Sequence, residues 1–111
     1  MNDIKNCKIE NNVDKDGNPA GGKVAGAGLL IEWQNGPLGR GEARVNANGA
    51  FVETVLSAVL QRIQYYQETT NGKFKCRENA IAITKIEEAL LWLDKRRRDR
   101  EERQVEGTHT A

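Results

Sequence analysis

Residues 51–67 read Phe51-Val52-Glu53-Thr54-Val55-Leu56-Ser57-Ala58-Val59-Leu60-Gln61-Arg62-Ile63-Gln64-Tyr65-Tyr66-Gln67. Val52, Val55, Leu56, Val59, Leu60, Ile63 and Tyr66 recur at spacings of three and four, which puts them on one broad helical face ending near Gln67. Asn48-Gly49-Ala50 reads as the helix start, with Asn46 or Asn48 as the N-cap. Thr69-Thr70-Asn71-Gly72-Lys73 breaks the pattern, and a second helix begins near Arg77 and runs to about Arg103. Its stripe is Ala82, Ile83, Ile86, Ala89, Leu90 and Leu93. At 1.5 Å per residue this helix spans about 40 Å, against roughly 30 Å across a domain of this size. Its far end has no cover within its own chain, and the first helix is apolar over too wide a face for one partner. The pair predicts a helical hairpin that assembles with further copies of itself.

Outward from the hairpin, Val24 to Gln34 reads as a strand, because Leu29, Ile31 and Trp33 alternate with Leu30, Glu32 and Gln34. Asn35-Gly36-Pro37-Leu38-Gly39-Arg40-Gly41 turns the chain, and Glu42 to Asn46 reads as a returning strand. The stretch from Asn11 to Gly22 is rich in Gly, Asn and Asp and reads as a loop. Within it, Asp14-Lys15-Asp16-Gly17 lacks the ligand spacing and closing Glu of a calcium loop. The expected fold is α+β: a small N-terminal antiparallel β-sheet followed by a long two-helix hairpin. It forms a single domain over residues 1–111, with a polar segment 1–22, a β-extension 23–46, and the hairpin with its C-terminal tail at 47–111.

Composition narrows the function classes. The chain has 111 residues, 30% charged and 38% hydrophobic, and a net charge of +1. That balance argues against a DNA or RNA coat, which would be clearly basic, and no run of about 18 apolar residues suggests a membrane span. No leader pattern opens the sequence, so a cytosolic protein is expected. Cys7 and Cys76 form no CxxC pair, and His109 is the single histidine, so neither a metal site nor a disulfide framework is expected. Ser57 is the only serine and has no histidine placed to activate it. Glu87-Glu88 and Glu101-Glu102 are adjacent pairs that diverge on a helix. No cofactor is called for, and binding is favoured over catalysis.

The run Asp94-Lys95-Arg96-Arg97-Arg98-Asp99-Arg100-Glu101-Glu102-Arg103 carries the most chemistry. Four residues apart, Lys95 faces Asp99, Arg97 faces Glu101, Asp99 faces Arg103, and Arg98 lies between Asp94 and Glu102. Helical spacing gives Arg100 the neighbours Arg96, Arg97, Arg103 and Gln104, with no carboxylate among them, and gives Arg96 only Asp99. Arg96 and Arg100 also continue the stripe of Ala89 and Leu93, and guanidiniums at the edge of an apolar interface suit a phosphate, which arginine grips bidentately. A solvated charged face is the equally weighted alternative. A nucleotide would further need a ring and an amide. Tyr65, Tyr66 and Phe74 lie at the far end of the hairpin and Asn79 on the first turn of the second helix, although core packing is the simpler role for Tyr66 and Phe74. An antiparallel dimer would bring one chain's hairpin turn to the other chain's arginines.

Several segments taken in order resemble a known family: Asn48-Gly49-Ala50-Phe51-Val52-Glu53, Arg62-Ile63-Gln64-Tyr65-Tyr66-Gln67, Cys76-Arg77-Glu78-Asn79, Ile86-Glu87-Glu88-Ala89-Leu90-Leu91-Trp92-Leu93, and Arg103-Gln104-Val105-Glu106-Gly107-Thr108-His109. Together they resemble the helical-hairpin domain shared by two kinds of phage anti-defence protein, the anti-CBASS cyclic-nucleotide sponge and the Thoeris anti-defence sponge. Gly28-Leu29-Leu30-Ile31-Glu32-Trp33-Gln34-Asn35-Gly36-Pro37-Leu38-Gly39 is similar to the β-extension of the Thoeris branch.

The resemblance implies sequestration without cleavage, in the cytoplasm of the infected bacterial host. The implied ligand is glycocyclic ADP-ribose made by Thoeris TIR enzymes, held between protomers of a homo-oligomer, either a dimer or a hexamer built as a trimer of dimers. It implies a site of Asn79, Arg96 and Arg100, with Arg44 as the arginine from the β-region and Phe74 or Tyr66 as the stacking ring. A second site for cyclic oligonucleotides is implied around Gly107, Thr108 and His109. The alternative is therefore a sponge for CBASS cyclic di- or trinucleotides, alone or as a second activity. An adaptor using the arginine-rich helix as a rod, or a hydrolase, are the remaining rivals; the self-pairing of that helix and the missing catalytic group count against them.

Overall fold

A computed structural model describes residues 6–104 and 106–111; the first five residues of the polar segment and Val105 of the tail lie outside the described residues. The element order is β1 (Lys8–Val13), β2 (Pro19–Gly26), β3 (Leu29–Asn35), α1 (Val52–Gly72) and α2 (Arg77–Glu102), an α+β chain with its sheet before its helices. Contacts divide it into two compact units, one made by the chain up to Phe51 together with Arg103–Ala111, the other by Val52–Glu102.

In the first unit the three strands form an antiparallel sheet in the order β1-β2-β3. Strand and loop differ here from the sequence expectation. The segment read as a loop from Asn11 to Gly22 is mostly strand. Lys8 to Asn11 pair with Gly22 to Ala25, and Val13 pairs with Pro19 across a bulge. Its turn chemistry is confined to Asp14–Asn18, where the Asp14 carboxylate accepts the amides of Asp16 at 2.9 Å and Asn18 at 3.0 Å. The Asn18 amide is the main reason that this carboxyl is held below its ordinary pKa.

Nor is Val24–Gln34 one strand. It folds back at Ala27-Gly28, so that Gly26 pairs with Leu29. Gly28 takes a φ of +73°, a left-handed conformation that glycine adopts without steric cost. Alternation carries through such a tight turn without a break, which is why it reads as a single strand. Glu42–Asn46 is not a strand either; a 3-10 turn spans Gly41–Ala43 and extended chain follows.

The residues read as the start of the first helix belong to the sheet. Ala50 makes a parallel bridge to Trp33, donating to the Glu32 carbonyl at 2.7 Å and accepting from the Gln34 amide at 3.0 Å. Asn48 does not cap the helix. Its side-chain amide spans the backbone of Asn35, accepting from its N–H at 2.8 Å and donating to its carbonyl at 3.0 Å. Gln34 reciprocates, its Oε1 accepting from the amides of Asn48 and Gly49. Gly49 has to be glycine, because a Cβ there would lie 2.5 Å from the Trp33 carbonyl.

In the second unit α1 and α2 pack against each other, and all six positions of the expected α2 stripe, from Ala82 to Leu93, are half-buried. On α1, Val55, Leu56, Leu60 and Ile63 are half-buried, but Val52, Val59 and Tyr66 remain 50%, 45% and 41% exposed. The face is indeed wider than one partner covers. Regular helix ends at Glu68; Thr69 is extended (ψ 151°), and Thr70 and Asn71 then take left-handed conformations (φ 54° and 55°) that reverse the chain. Across the turn, the Gln67 side chain accepts the Cys76 amide at 2.9 Å and donates to its carbonyl at 3.2 Å. Among the described residues no apolar side chain is fully buried, and no helix is long and apolar enough to cross a membrane.

Candidate functional site

The charged run lies on the last three turns of α2 and is organised much as helical spacing predicts. Lys95 meets Asp99 at 3.6 Å, Arg97 meets Glu101 at 2.9 Å, and Arg98 meets Asp94 at 3.0 Å. Arg97 additionally reaches Asp94 at 2.9 Å. That hydrogen bond is the largest cause of a lowered Asp94 pKa and of a raised Arg97 pKa, with further help to Asp94 from Arg98 and to Arg97 from Glu101. Arg103, expected opposite Asp99, donates to the terminal carbonyl of Ala111.

Two further arginines lie on these turns, Arg96 and Arg100. Arg96 is exposed and, among the described residues, has no ion-pair partner, since Asp99 is taken by Lys95. Arg100, one turn further on, is 9% exposed and is the one buried residue among those described. A guanidinium is seldom buried without a charge or acceptor to answer it.

The rest of the expected pocket is dispersed along the hairpin. Asn79 is half-buried on the first turn of α2, its backbone amide donating to Cys76 Sγ at 3.4 Å. Its side-chain amide makes no hydrogen bond among the described residues. Seventeen residues of continuous helix separate it from Arg96, about 25 Å along the axis. One chain does not bring Asn79 and the arginines onto one small ligand.

The two aromatic candidates lie at Asn79's end. Phe74 is 54% exposed, with Lys73 Nζ 5.5 Å from its ring centre. Tyr66 is 41% exposed and already covered by Arg62, whose guanidinium carbon is 4.8 Å from its ring centre and whose Nε donates to its hydroxyl at 3.3 Å. The same guanidinium stands 4.9 Å from the Tyr65 ring. Periodicity does not signal this cation-bridged pair, though the spacing of Arg62 and Tyr66 by four residues does permit it.

Arg44, Gly107, Thr108 and His109 belong to the sheet unit. Arg44 follows the 3-10 turn and pairs with Glu106 at 3.6 Å. The tail is tied down beside that pair, the Gly39 amide donating to the Gly107 carbonyl at 2.8 Å. Thr108 Oγ1 accepts the Thr110 amide at 3.2 Å, while His109 is exposed. Neither the Gln67 clamp nor the Arg44–Glu106 pair is foreshadowed by the sequence, because each joins segments with no shared period.

Residues 27–98, more than half of the chain, match the family described as the Acb2/Tad1 hairpin domain. A protein named Thoeris anti-defense 1, from Bacillus phage SBSphiJ7, is 48% identical over 85 residues. That match covers 77% of this chain and 55% of the relative, so the chain spans about half the length of the curated protein it resembles. With its β3–α1–α2 region matched nearly end to end, the chain belongs to the Acb2/Tad1 hairpin-domain family.

Proposed function

We propose that this protein counters Thoeris defence by sequestering a cyclic nucleotide signal, glycocyclic ADP-ribose, and releasing it unchanged. The observation that carries the reading is Arg100: a buried arginine one helical turn from an exposed one, on a chain 48% identical to a Thoeris anti-defence protein over 85 residues. A diphosphate offers paired oxygens with the geometry that two guanidiniums bind. Asn79 and an aromatic ring complete recognition of the nucleoside. Because α2 keeps Asn79 about 25 Å from Arg96, the pocket is assembled between protomers, the hairpin turn of one meeting the arginine end of another. Arg44, which pairs with Glu106, is the further arginine that the resemblance implies. Phe74 is the more exposed ring and the first candidate for stacking.

A site of this kind binds without turnover, and no step in it calls for a nucleophile or general base. The protein acts in the cytoplasm of the infected host, where the signal is made.

A second reading follows from the anchored tail. Gly107, Thr108 and His109 sit on a backbone held to Gly39, and around a threefold contact they would form a separate pocket for cyclic oligonucleotides. Isothermal titration distinguishes the cases. Glycocyclic ADP-ribose titrated alone should bind tightly. A protein saturated with a cyclic trinucleotide should still take it up with unchanged affinity if the sites are separate. Absence of heat with glycocyclic ADP-ribose, but a clear isotherm with the trinucleotide, would reverse the assignment.

A further inference from the structure

The C-terminal tail is built into the loop that presents Arg44. Val45 donates to the Leu38 carbonyl at 2.7 Å, Ala43 to that of Arg40 at 3.1 Å and Arg44 itself to that of Gly41 at 3.2 Å, so residues 38–45 close on themselves. The tail joins them backbone to backbone, through the Gly39 amide and the Gly107 carbonyl. Both residues are left-handed glycines, with φ of +84° and +78°. A Cβ on Gly107 would collide with the Gly39 carbonyl, and one on Gly39 would lie 2.8 Å from the Ala43 carbonyl. Glu106, next to Gly107, thus projects from anchored chain toward an arginine on anchored chain. Arg44 Nη1 stands 3.6 Å from Glu106 Oε1, and the Glu106 side chain is the more buried of the two, 27% exposed against 46%.

A half-exposed pair of this kind adds little to stability, but it holds an arginine in place. Among the described residues, the contact engages one terminal nitrogen of Arg44. The opposite edge, Nε with Nη2, carries the two parallel donors that grip a phosphate. We propose that Glu106 is a positioning residue for ligand binding: its carboxylate, set by the Gly39–Gly107 contact, holds the Arg44 guanidinium with that edge presented to a phosphate of the ligand. A long side chain that is ordered only on binding costs affinity, and one already ordered by a neighbour avoids that cost. Arg96, exposed and without an ion-pair partner among the described residues, has no such support.

This inference rests on the proposed reading of Arg44 as a ligand-binding arginine, and it adds a residue that acts through Arg44 rather than on the ligand.

Titration calorimetry with glycocyclic ADP-ribose tests it on four proteins: the unaltered chain, Glu106→Ala, Arg44→Ala and the double variant. Glu106→Ala should weaken binding about three- to tenfold, the cost of ordering one long side chain. With Arg44 already replaced by Ala, removing Glu106 should change affinity no further, because two residues that act as one unit are not additive. Hydrogen exchange at the Gly39 amide should stay protected in Glu106→Ala, which separates orientation of Arg44 from loss of the tail anchor. Tighter binding by Glu106→Ala would overturn the inference, since the carboxylate would then only repel the phosphate. Equal weakening with and without Arg44 would overturn it as well, by making the effect one of the tail. Affinity unmoved by Arg44→Ala would overturn this inference and leave sequestration standing, whereas an unaltered protein that binds no glycocyclic ADP-ribose would overturn both.

Discussion

The sheet unit and the helical hairpin are held by different forces. The sheet depends on backbone geometry and side-chain amides. Asn48 spans the backbone of Asn35, Gln34 answers with its own amide, and Gly49 lets the chain lie against Trp33. Every strand residue of β1 is exposed, so burial contributes little there. The hairpin depends on a periodic apolar stripe, and it carries a second, uncovered set of apolar residues on both helices. The sheet is specified within its own segment, whereas the hairpin has surface to share. The hairpin carries Asn79, Arg96 and Arg100, and the sheet unit carries Arg44 and the anchored tail.

The contrast can be tested from its largest consequence downward. Replacing Arg100 by Ala should weaken binding of glycocyclic ADP-ribose by about 2–5 kcal/mol, the usual loss when one member of a desolvated charge pair is removed. Titration calorimetry would show it, and unchanged affinity would remove Arg100 from the site.

Next, Gly49→Ala should destabilise the sheet unit by about 1–3 kcal/mol, the cost of forcing atoms into an occupied space. Hydrogen exchange should show faster loss of the Gln34 and Ala50 amides while protection in α2 is kept. Equal loss in both units would mean that they unfold as one.

A smaller effect of opposite sign is expected at the hairpin turn. Thr70 is β-branched and left-handed, so Thr70→Gly should stabilise the hairpin by about 1 kcal/mol, the order of strain released. Thermal unfolding would report it as a raised midpoint.

The smallest effect is on pH. Asp94 has its pKa lowered in the folded chain, first by the hydrogen bond from Arg97 and then by Arg98. The stability it adds is present above the ordinary carboxyl pKa and is lost as pH falls through the lowered value. The last turns of α2 should therefore fray under acid at a lower pH in the unaltered protein than in Arg97→Gln, as followed by helical ellipticity.

The two regions also differed in how far their sequence could be read. Both helices, their break at Thr69 and the α2 stripe were legible because a 3.6-residue period extends over many turns and every member casts a vote. The self-paired charges of α2 were legible for the same reason, since helical spacing fixes which charges can meet. The strands were not. A two-residue turn at Ala27-Gly28 preserves alternation, and the polar, fully exposed β1 has no apolar face to announce it. The bridge from Ala50 to Trp33 and the Asn48 clamp join residues more than a dozen apart, and no local pattern records such a pairing. Burial of Arg100 is likewise a fact of the folded chain.

Filtration and mass spectrometry together test the central claim most directly. The protein is mixed with glycocyclic ADP-ribose, unbound ligand is removed by filtration, and the retained fraction is heat-denatured and analysed by mass. The account predicts ligand of unchanged mass, recovered only after heating and in fixed proportion to protein. Ligand that passes through the filter, or a product of altered mass in the retained fraction, would contradict it.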